Sequence, residues 1–265
     1  MIDLHMHTSR CGHASGSIDE YIDAARVAGI STVCFTDHLP MRAPYPQHYT
    51  MGHDELAAYV EDVRVAAAAS AETGGPEVLV GIEADWLPEG TKHLDAALAN
   101  HRFDMVLGSV HFLGDWAFDD PDLIARYGGA DIDALWDRYF GLVFDAARSS
   151  SIDVLAHPDL IKKFGYLSSV DPSSWYEETA LALFEGGCAV EVNTAGLRKP
   201  VGEIYPSLGL LQACRRRGVP ATLGSDAHSP GEGGMGFDAA SGLLAEAGYD
   251  SLVVFRDRVP FEVAL

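Results

Sequence analysis

Ile2-Asp3-Leu4-His5-Met6-His7 alternates apolar and polar residues from the second position of the chain. The alternation reads as a short β-strand, in which successive side chains point to opposite faces. His5 and His7 then share a face, about 7 Å apart. Two imidazoles at the end of a strand, with a loop following at once, make half of a metal site. Taken alone, a strand end with two solvated histidines fits the stretch equally well.

The same arrangement recurs down the chain. Strand-like apolar runs are predicted at Thr32–Thr36, Val78–Ile82, Met105–Val110, Val154–Ala156, Ala189–Val192 and Ala221–Gly224, with a last one at Leu252–Phe255. Helical segments alternate with them: Ile18–Ala28 (Ser17 as N-cap), Asp54–Glu72, Lys92–Asn100, Ile132–Arg148, Pro172–Glu185, Ser207–Arg216 and Asp238–Ala247 (Asp238 as N-cap). Seven or eight such units imply parallel strands joined by helical crossovers. Short, wholly apolar strands fit a sheet buried on both faces. No linker divides the chain, so residues 1–265 read as one domain. A (β/α) barrel, with as few as seven strands, is the expected fold, and an open doubly wound sheet is the alternative.

In such a barrel the C-terminal strand ends converge on one face, where active sites lie. His5, His7 and then His13 follow the first strand, and Asp37 and His38 the second. Glu83 and Asp85 follow the third, His111 the fourth and His157 the fifth. Glu191 and Asn193 end the sixth, and Asp226 and His228 follow the seventh. Seven of the eleven histidines fall at these ends. His48 and His53 sit in a Pro/Gly-rich loop and read as solvated residues or parts of a lid; His93 and His101 read as surface residues. Seven histidines with Glu83 and Asp226 exceed what one ion takes, since zinc accepts about four ligands. Two to three divalent ions (Zn, Fe or Mn) suit the imidazole and carboxylate mixture. Clustered ions are a device for phosphoester hydrolysis.

Composition narrows the partners. The formal charge is −21, from 39 acidic and 18 basic residues. So acidic a chain repels nucleic acid, whose binding rests on phosphate neutralisation, and favours a small cationic or zwitterionic substrate. Cys11, Cys34, Cys188 and Cys214 are scattered, which reads as reduced thiols in a cytoplasmic protein. Cys11 stands apart because it lies between His7 and His13. The absence of any 18-residue apolar run predicts no membrane helix, and a start that leads straight into Asp3 and His5 predicts no signal peptide. The oligomeric state is left open.

The motifs DLHMH (Asp3–His7), CGHA (Cys11–Ala14), FTDH (Phe35–His38), GIEAD (Gly81–Asp85), GSVHF (Gly108–Phe112), AHPDL (Ala156–Leu160) and GSDAH (Gly224–His228) resemble the PHP family of polymerase and histidinol phosphatase domains. CGHA, FTDHLP and the segment EVNTAGLRKPVGEIYPS (Glu191–Ser207) resemble its monofunctional histidinol-phosphate phosphatases most. The resemblance implies a distorted seven-stranded TIM-like β/α barrel with a trinuclear metal centre. It implies His5, His7, Glu83 and Asp226 around one ion, Glu83, His111 and His157 around a second, and His13, His38 and His228 around a third, with Asp37 orienting a ligand. The expected reaction is hydrolysis of L-histidinol phosphate by a hydroxide shared between two ions, as a step of histidine biosynthesis. A nucleotide or oligonucleotide phosphoesterase is the alternative. Arg198 and Lys199 are the expected phosphate clamp, with Lys162 and Lys163 as second choice. Asp85, Asp159 and Asn193 are unranked candidates for the cationic histidinol end.

Overall fold

A computed structural model describes residues 1–42, 44–87 and 92–265. Apolar runs too short for helices form the strands: Ile2–Met6 (β1), Thr32–Phe35 (β2), Glu77–Asp85 (β3), Met105–Ser109 (β4), Phe112–Leu113 (β5), Trp116–Ala117 (β6), Val154–Leu155 (β7), Ala189–Asn193 (β8), Ala221–Gly224 (β9), Ser251–Arg256 (β10) and Val259–Ala264 (β11). Among the described residues, β1-β2-β3-β4-β7-β8-β9 form one parallel sheet in that order. Nearly every residue of these strands is buried, as a sheet covered on both faces requires. The sheet curls until β1 meets β9. There Met6 bridges Ala227, the amide of His7 donates to the Ala227 carbonyl (3.0 Å), and the Ala227 amide donates to His5 (3.3 Å). The result is a nearly closed seven-stranded barrel.

One helix follows each barrel strand: Ile18–Val27 (α1), Leu56–Glu72 (α2), Lys92–Asn100 (α3), Ile132–Ala147 (α4), Ser173–Gly186 (α5), Leu208–Arg216 (α6) and Phe237–Ala247 (α7). Ser17 caps α1 through a reciprocal capping box with Glu20. Asp238 does not cap α7; Gly236, at φ 80°, holds that position, because the turn before the helix needs left-handed backbone.

The expected last strand does not enter the barrel. It is β10, paired antiparallel with β11 through a two-residue turn, Asp257-Arg258, whose φ values of 48° and 64° suit the twist of a hairpin. Arg256 grips Glu77 with two hydrogen bonds (2.7 and 2.6 Å), and Arg258 reaches Asp153 at 3.0 Å. Glu77 begins β3 and Asp153 precedes β7, so the hairpin lies across the end of the barrel opposite the histidines. At the end that carries the histidines, Met41, Tyr45, Leu87, Phe112 and Ala117 form a small apolar cluster of their own. The β5–β6 hairpin that supplies Phe112 and Ala117 is absent from the sequence reading. No helix among the described residues is long and apolar enough to cross a membrane.

Candidate metal centre

β1 delivers His5 and His7, both fully buried. Nδ1 of His5 lies 2.6 Å from Oε1 of Glu191 on β8. That leaves Nε2 facing inward, 3.4 Å from Oε2 of Glu83 and 3.7 Å from Oδ1 of Asp226. Nε2 of His7 faces the same two carboxylates at 3.5 and 3.2 Å. Asp37 stands behind His7, with Oδ1 3.7 Å from Nδ1, and is held by the amide and hydroxyl of Thr8. Asp37 thus faces His7 beyond hydrogen-bond distance; toward His38 it accepts only the backbone amide (2.8 Å).

Glu83 lies within β3, which runs two residues beyond it, rather than after the strand. Its two oxygens serve different neighbours. Oε1 accepts from the Ser109 hydroxyl (2.5 Å) and faces Nε2 of His157 (3.0 Å) and Nε2 of His111 (3.7 Å). Oε2 faces His5, His7 and, at 3.1 Å, Nδ1 of His38. Asp85 holds Nδ1 of His111 at 2.9 Å. Across the cavity the rings of His13 and His228 stack 4.8 Å apart, with His38 5.4 Å from His13. The Nδ1 atoms of His13 and His228 meet the carbonyls of Cys11 (3.0 Å) and Asp226 (3.1 Å), so each presents Nε2.

Oε2 of Glu83 is buried and accepts no hydrogen bond, although three imidazole nitrogens stand within 3.1–3.5 Å of it. A lone carboxylate oxygen among nitrogens is expensive to bury unless something positive meets it. Donor atoms of His5, His7 and Glu83 lie within 4.8 Å of one another, as do those of His5, His157 and Asp226 and those of His7, His38 and His228. The donor set and this unpaired oxygen fit divalent cations.

Electrostatics point the same way. Burial opposes charge on Glu83, yet His5 and His38 outweigh it and hold the carboxyl well below its usual range. Burial likewise opposes charge on Asp226, and His5 and His7 hold it well below. His5 is driven the other way: burial disfavours its charge, but Glu191, Glu83 and Asp226 raise it well above the ordinary imidazole value. Burial and the His7 charge push His228 down to about 3. Without cations, protons on some of the imidazoles balance the carboxylates.

Two ligand candidates adopt strained backbone. His157 (φ 28°) and Asp226 (φ 53°) lie in left-handed space, which costs on the order of 1–3 kcal/mol each for residues other than glycine. The amide of His157 donates to Oε2 of Glu191 (2.9 Å). Nη2 of Arg198 donates to the carbonyls of Ser225 (2.9 Å) and Asp226 (3.1 Å).

A cavity of about 660 Å³ opens over these groups, lined among others by Lys163, Lys199, Tyr49, Phe112, Asp119 and His48. Of the expected phosphate cations, Lys199 and Lys163 line it. Arg198 does not; it is turned to the Ser225–Asp226 backbone, which needs donors in its left-handed turn. Asn193 is fully buried, bonded to Glu191 (3.1 Å) and to the amide of Ala195 (2.9 Å). Lys162 is buried against Asp159 (2.9 Å) and the Ile204 carbonyl (3.1 Å), so neither it nor Asp159 reaches the cavity. His48 forms part of the wall, while His53 bonds the Met41 carbonyl (3.1 Å). His93 and His101 are half-buried rather than surface residues, and His101 packs 6.3 Å from Phe103. Sequence reasoning gave Glu191 no role. Its signal was a carboxylate inside the apolar run of a buried strand.

A family model described as the PHP domain matches residues 3–195. A probable histidinol-phosphatase of Deinococcus radiodurans is 42% identical over 259 residues, covering 97% of both chains. A histidinol-phosphatase of Bacillus subtilis is 26% identical, covering 89% of this chain and 97% of the relative. In fold, the chain is similar to the crystal structure of histidinol phosphate phosphatase from Lactococcus lactis complexed with zinc, L-histidinol and phosphate. The TM-score is 0.84 at 20% identity, covering 98% of both chains. Matched by that family model over residues 3–195 and 42% identical to the Deinococcus relative over nearly the whole of both chains, the chain belongs to the PHP domain family.

Proposed function

We propose that this protein is a histidinol-phosphatase, a metal-dependent phosphomonoesterase that converts L-histidinol phosphate and water to L-histidinol and phosphate. The observation that carries the reading is Glu83. Its two oxygens face two separate groups of imidazoles, which is what a carboxylate shared between two ions needs. His5, His7, Glu83 and Asp226 would hold one ion, Glu83, His111 and His157 a second, and His13, His38 and His228 a third. Divalent ions bound there supply an activated water and neutralise charge on the phosphoryl oxygens. The number of ions, three, and their identity, zinc, iron or manganese, are part of the proposal.

The chain's own residues bind and orient the substrate. Lys199 pairs with no carboxylate among the described residues, and Lys163 stands beside it, bonded to Asp119 (3.0 Å). These two cations receive the phosphate in the proposed pose, and Arg198 fixes the backbone of Asp226. Tyr49 is hydrogen-bonded to Asp120, and with Phe112 this pair gives one wall an aromatic and acidic character suited to a cationic leaving group. The charge of −21 speaks against a polymeric nucleic-acid substrate. Four unpaired, buried cysteines support a cytoplasmic location.

The test is phosphate release from L-histidinol phosphate, AMP, a short single-stranded oligonucleotide and p-nitrophenyl phosphate, with metal content measured on the same sample. Preference for L-histidinol phosphate by orders of magnitude is expected. Faster release from AMP or the oligonucleotide would move the assignment to a nucleotide phosphoesterase.

A further inference from the structure

Cys11 belongs to the turn that carries the chain from β1 to His13. Ser9–Cys11 form a single 3-10 turn capped by Thr8, and Gly12 ends it at φ 82°. The left-handed glycine reverses the chain, so Cys11 and His13 both turn toward the third imidazole group. Cys11 is fully buried, yet it falls outside the contiguous apolar cluster that takes in Cys34, Cys188 and Cys214. Its burial is therefore not that of a small core hydrophobe, the usual role of a free cysteine.

What surrounds Cys11 is a set of metal donors. Its sulphur and donor nitrogens of His13 and His228 lie within 4.8 Å of one another. On the other side, the sulphur makes a second group of that size with His7 and Asp37. Nδ1 of His7, buried in that direction, has no hydrogen-bond partner.

We propose that the Cys11 sulphur is a donor to the cation held by His13, His38 and His228. The proposal rests on the metal-centre reading above. Three imidazoles leave one corner of a tetrahedron free; structural zinc sites fill it with a protein ligand, whereas catalytic sites leave it open. With sulphur in that corner the third ion is enclosed and retained, while the ions shared by Glu83 keep open positions for water and phosphate. A thiolate also shifts preference toward zinc or cobalt and away from manganese. On binding, the thiol proton leaves to solvent as the sulphur–metal bond forms, with no change of oxidation state.

Cobalt(II) tests this directly, because thiolate ligation gives a near-ultraviolet sulphur-to-cobalt charge-transfer band that imidazole and carboxylate ligation do not. The metal-free full-length protein is titrated with cobalt chloride and its spectrum followed alongside bound cobalt. The expected result is this band in the wild type and its loss in Cys11→Ser, with at least a ten-fold weaker third binding event. Wild-type protein that binds three cobalt ions without the band overturns the role of Cys11 while leaving the metal centre standing, and it does so whether or not the variant folds. Persistence of the band in folded Cys11→Ser also overturns it. Wild-type protein that binds no cobalt overturns the metal-centre reading together with this assignment.

Discussion

Oε1 of Glu191 lies 2.6 Å from Nδ1 of His5, although 186 residues separate the two in the chain. The contact fixes which imidazole nitrogen faces Glu83 and Asp226. Carboxylate partners of this kind raise the basicity of a ligating histidine, and their loss costs about 10–100-fold in metal affinity. Glu191→Gln keeps the size and removes the charge. A competition titration with a chromophoric chelator is expected to show a drop of that order, and unchanged affinity would assign Glu191 to packing alone.

Glu83→Gln removes the charge that faces five imidazoles. The variant is expected to keep its circular dichroism spectrum, lose more than one metal ion per chain and fall below detectable phosphatase activity. Retention of the wild-type metal content would exclude a shared carboxylate.

Lys199 and Arg198 separate by kinetics. Loss of a charge-assisted hydrogen bond to phosphate is expected to raise KM about ten-fold or more in Lys199→Ala, with a smaller change in kcat. Arg198→Ala, which frees the carbonyls of Ser225 and Asp226, is expected to lower kcat and metal content instead. A large KM effect in Arg198→Ala with full metal content would return Arg198 to the phosphate.

Metal binding depends on pH with a definite sign. In the metal-free protein burial pushes His7 down, but Asp226 and Asp37 outweigh it and hold it at about 9. His111 is likewise held at about 10, the carboxylate of Asp85 outweighing burial. Both values lie above the ordinary 6.5. Their protonation thus stabilises the metal-free fold fully below pH 6.5, and that contribution fades as pH rises through 9–10. Cation affinity runs the other way, since these protons must leave. With His5, which is raised in the same sense, calorimetry at pH 7 in buffers of different ionisation enthalpy is expected to detect about three protons released per molecule from these imidazoles; no release would contradict the raised values.

Gly224 has no room for a methyl group. A Cβ there would collide with Oε1 of Glu191 and come within 2.5 Å of Cβ of His5. Overpacking of this kind costs about 1–3 kcal/mol. Gly224→Ala is expected to lose that much stability by urea denaturation and to bind metal more weakly as His5 shifts.

The barrel was legible because its strands are short, apolar and evenly spaced by helices, and the ligand candidates because they share the C-terminal strand ends. What periodicity does not carry is where a long side chain turns. Arg198 follows the expected strand, but the left-handed backbone of Asp226 draws its guanidinium away from the cavity. Lys162 and Lys163 are neighbours in sequence, yet one is buried in an ion pair and the other lines the cavity. Leu252–Phe255 reads like any barrel strand. The Asp257-Arg258 turn, at positive φ without glycine, is what makes it half of a hairpin.

The junction of β1 and β9 rests on one isolated bridge among the described residues, whereas the other neighbouring strands are joined by ladders of two or more residue pairs. His5 and His7 stand on one side of it, Asp226 and His228 on the other. A cation held between them would be a clasp across the thinnest stave joint, so that loading the proposed centre also fastens the cylinder. On that reading an enzyme molecule stripped of its ions is expected to open there more readily, and a protease to cut it faster than its charged counterpart.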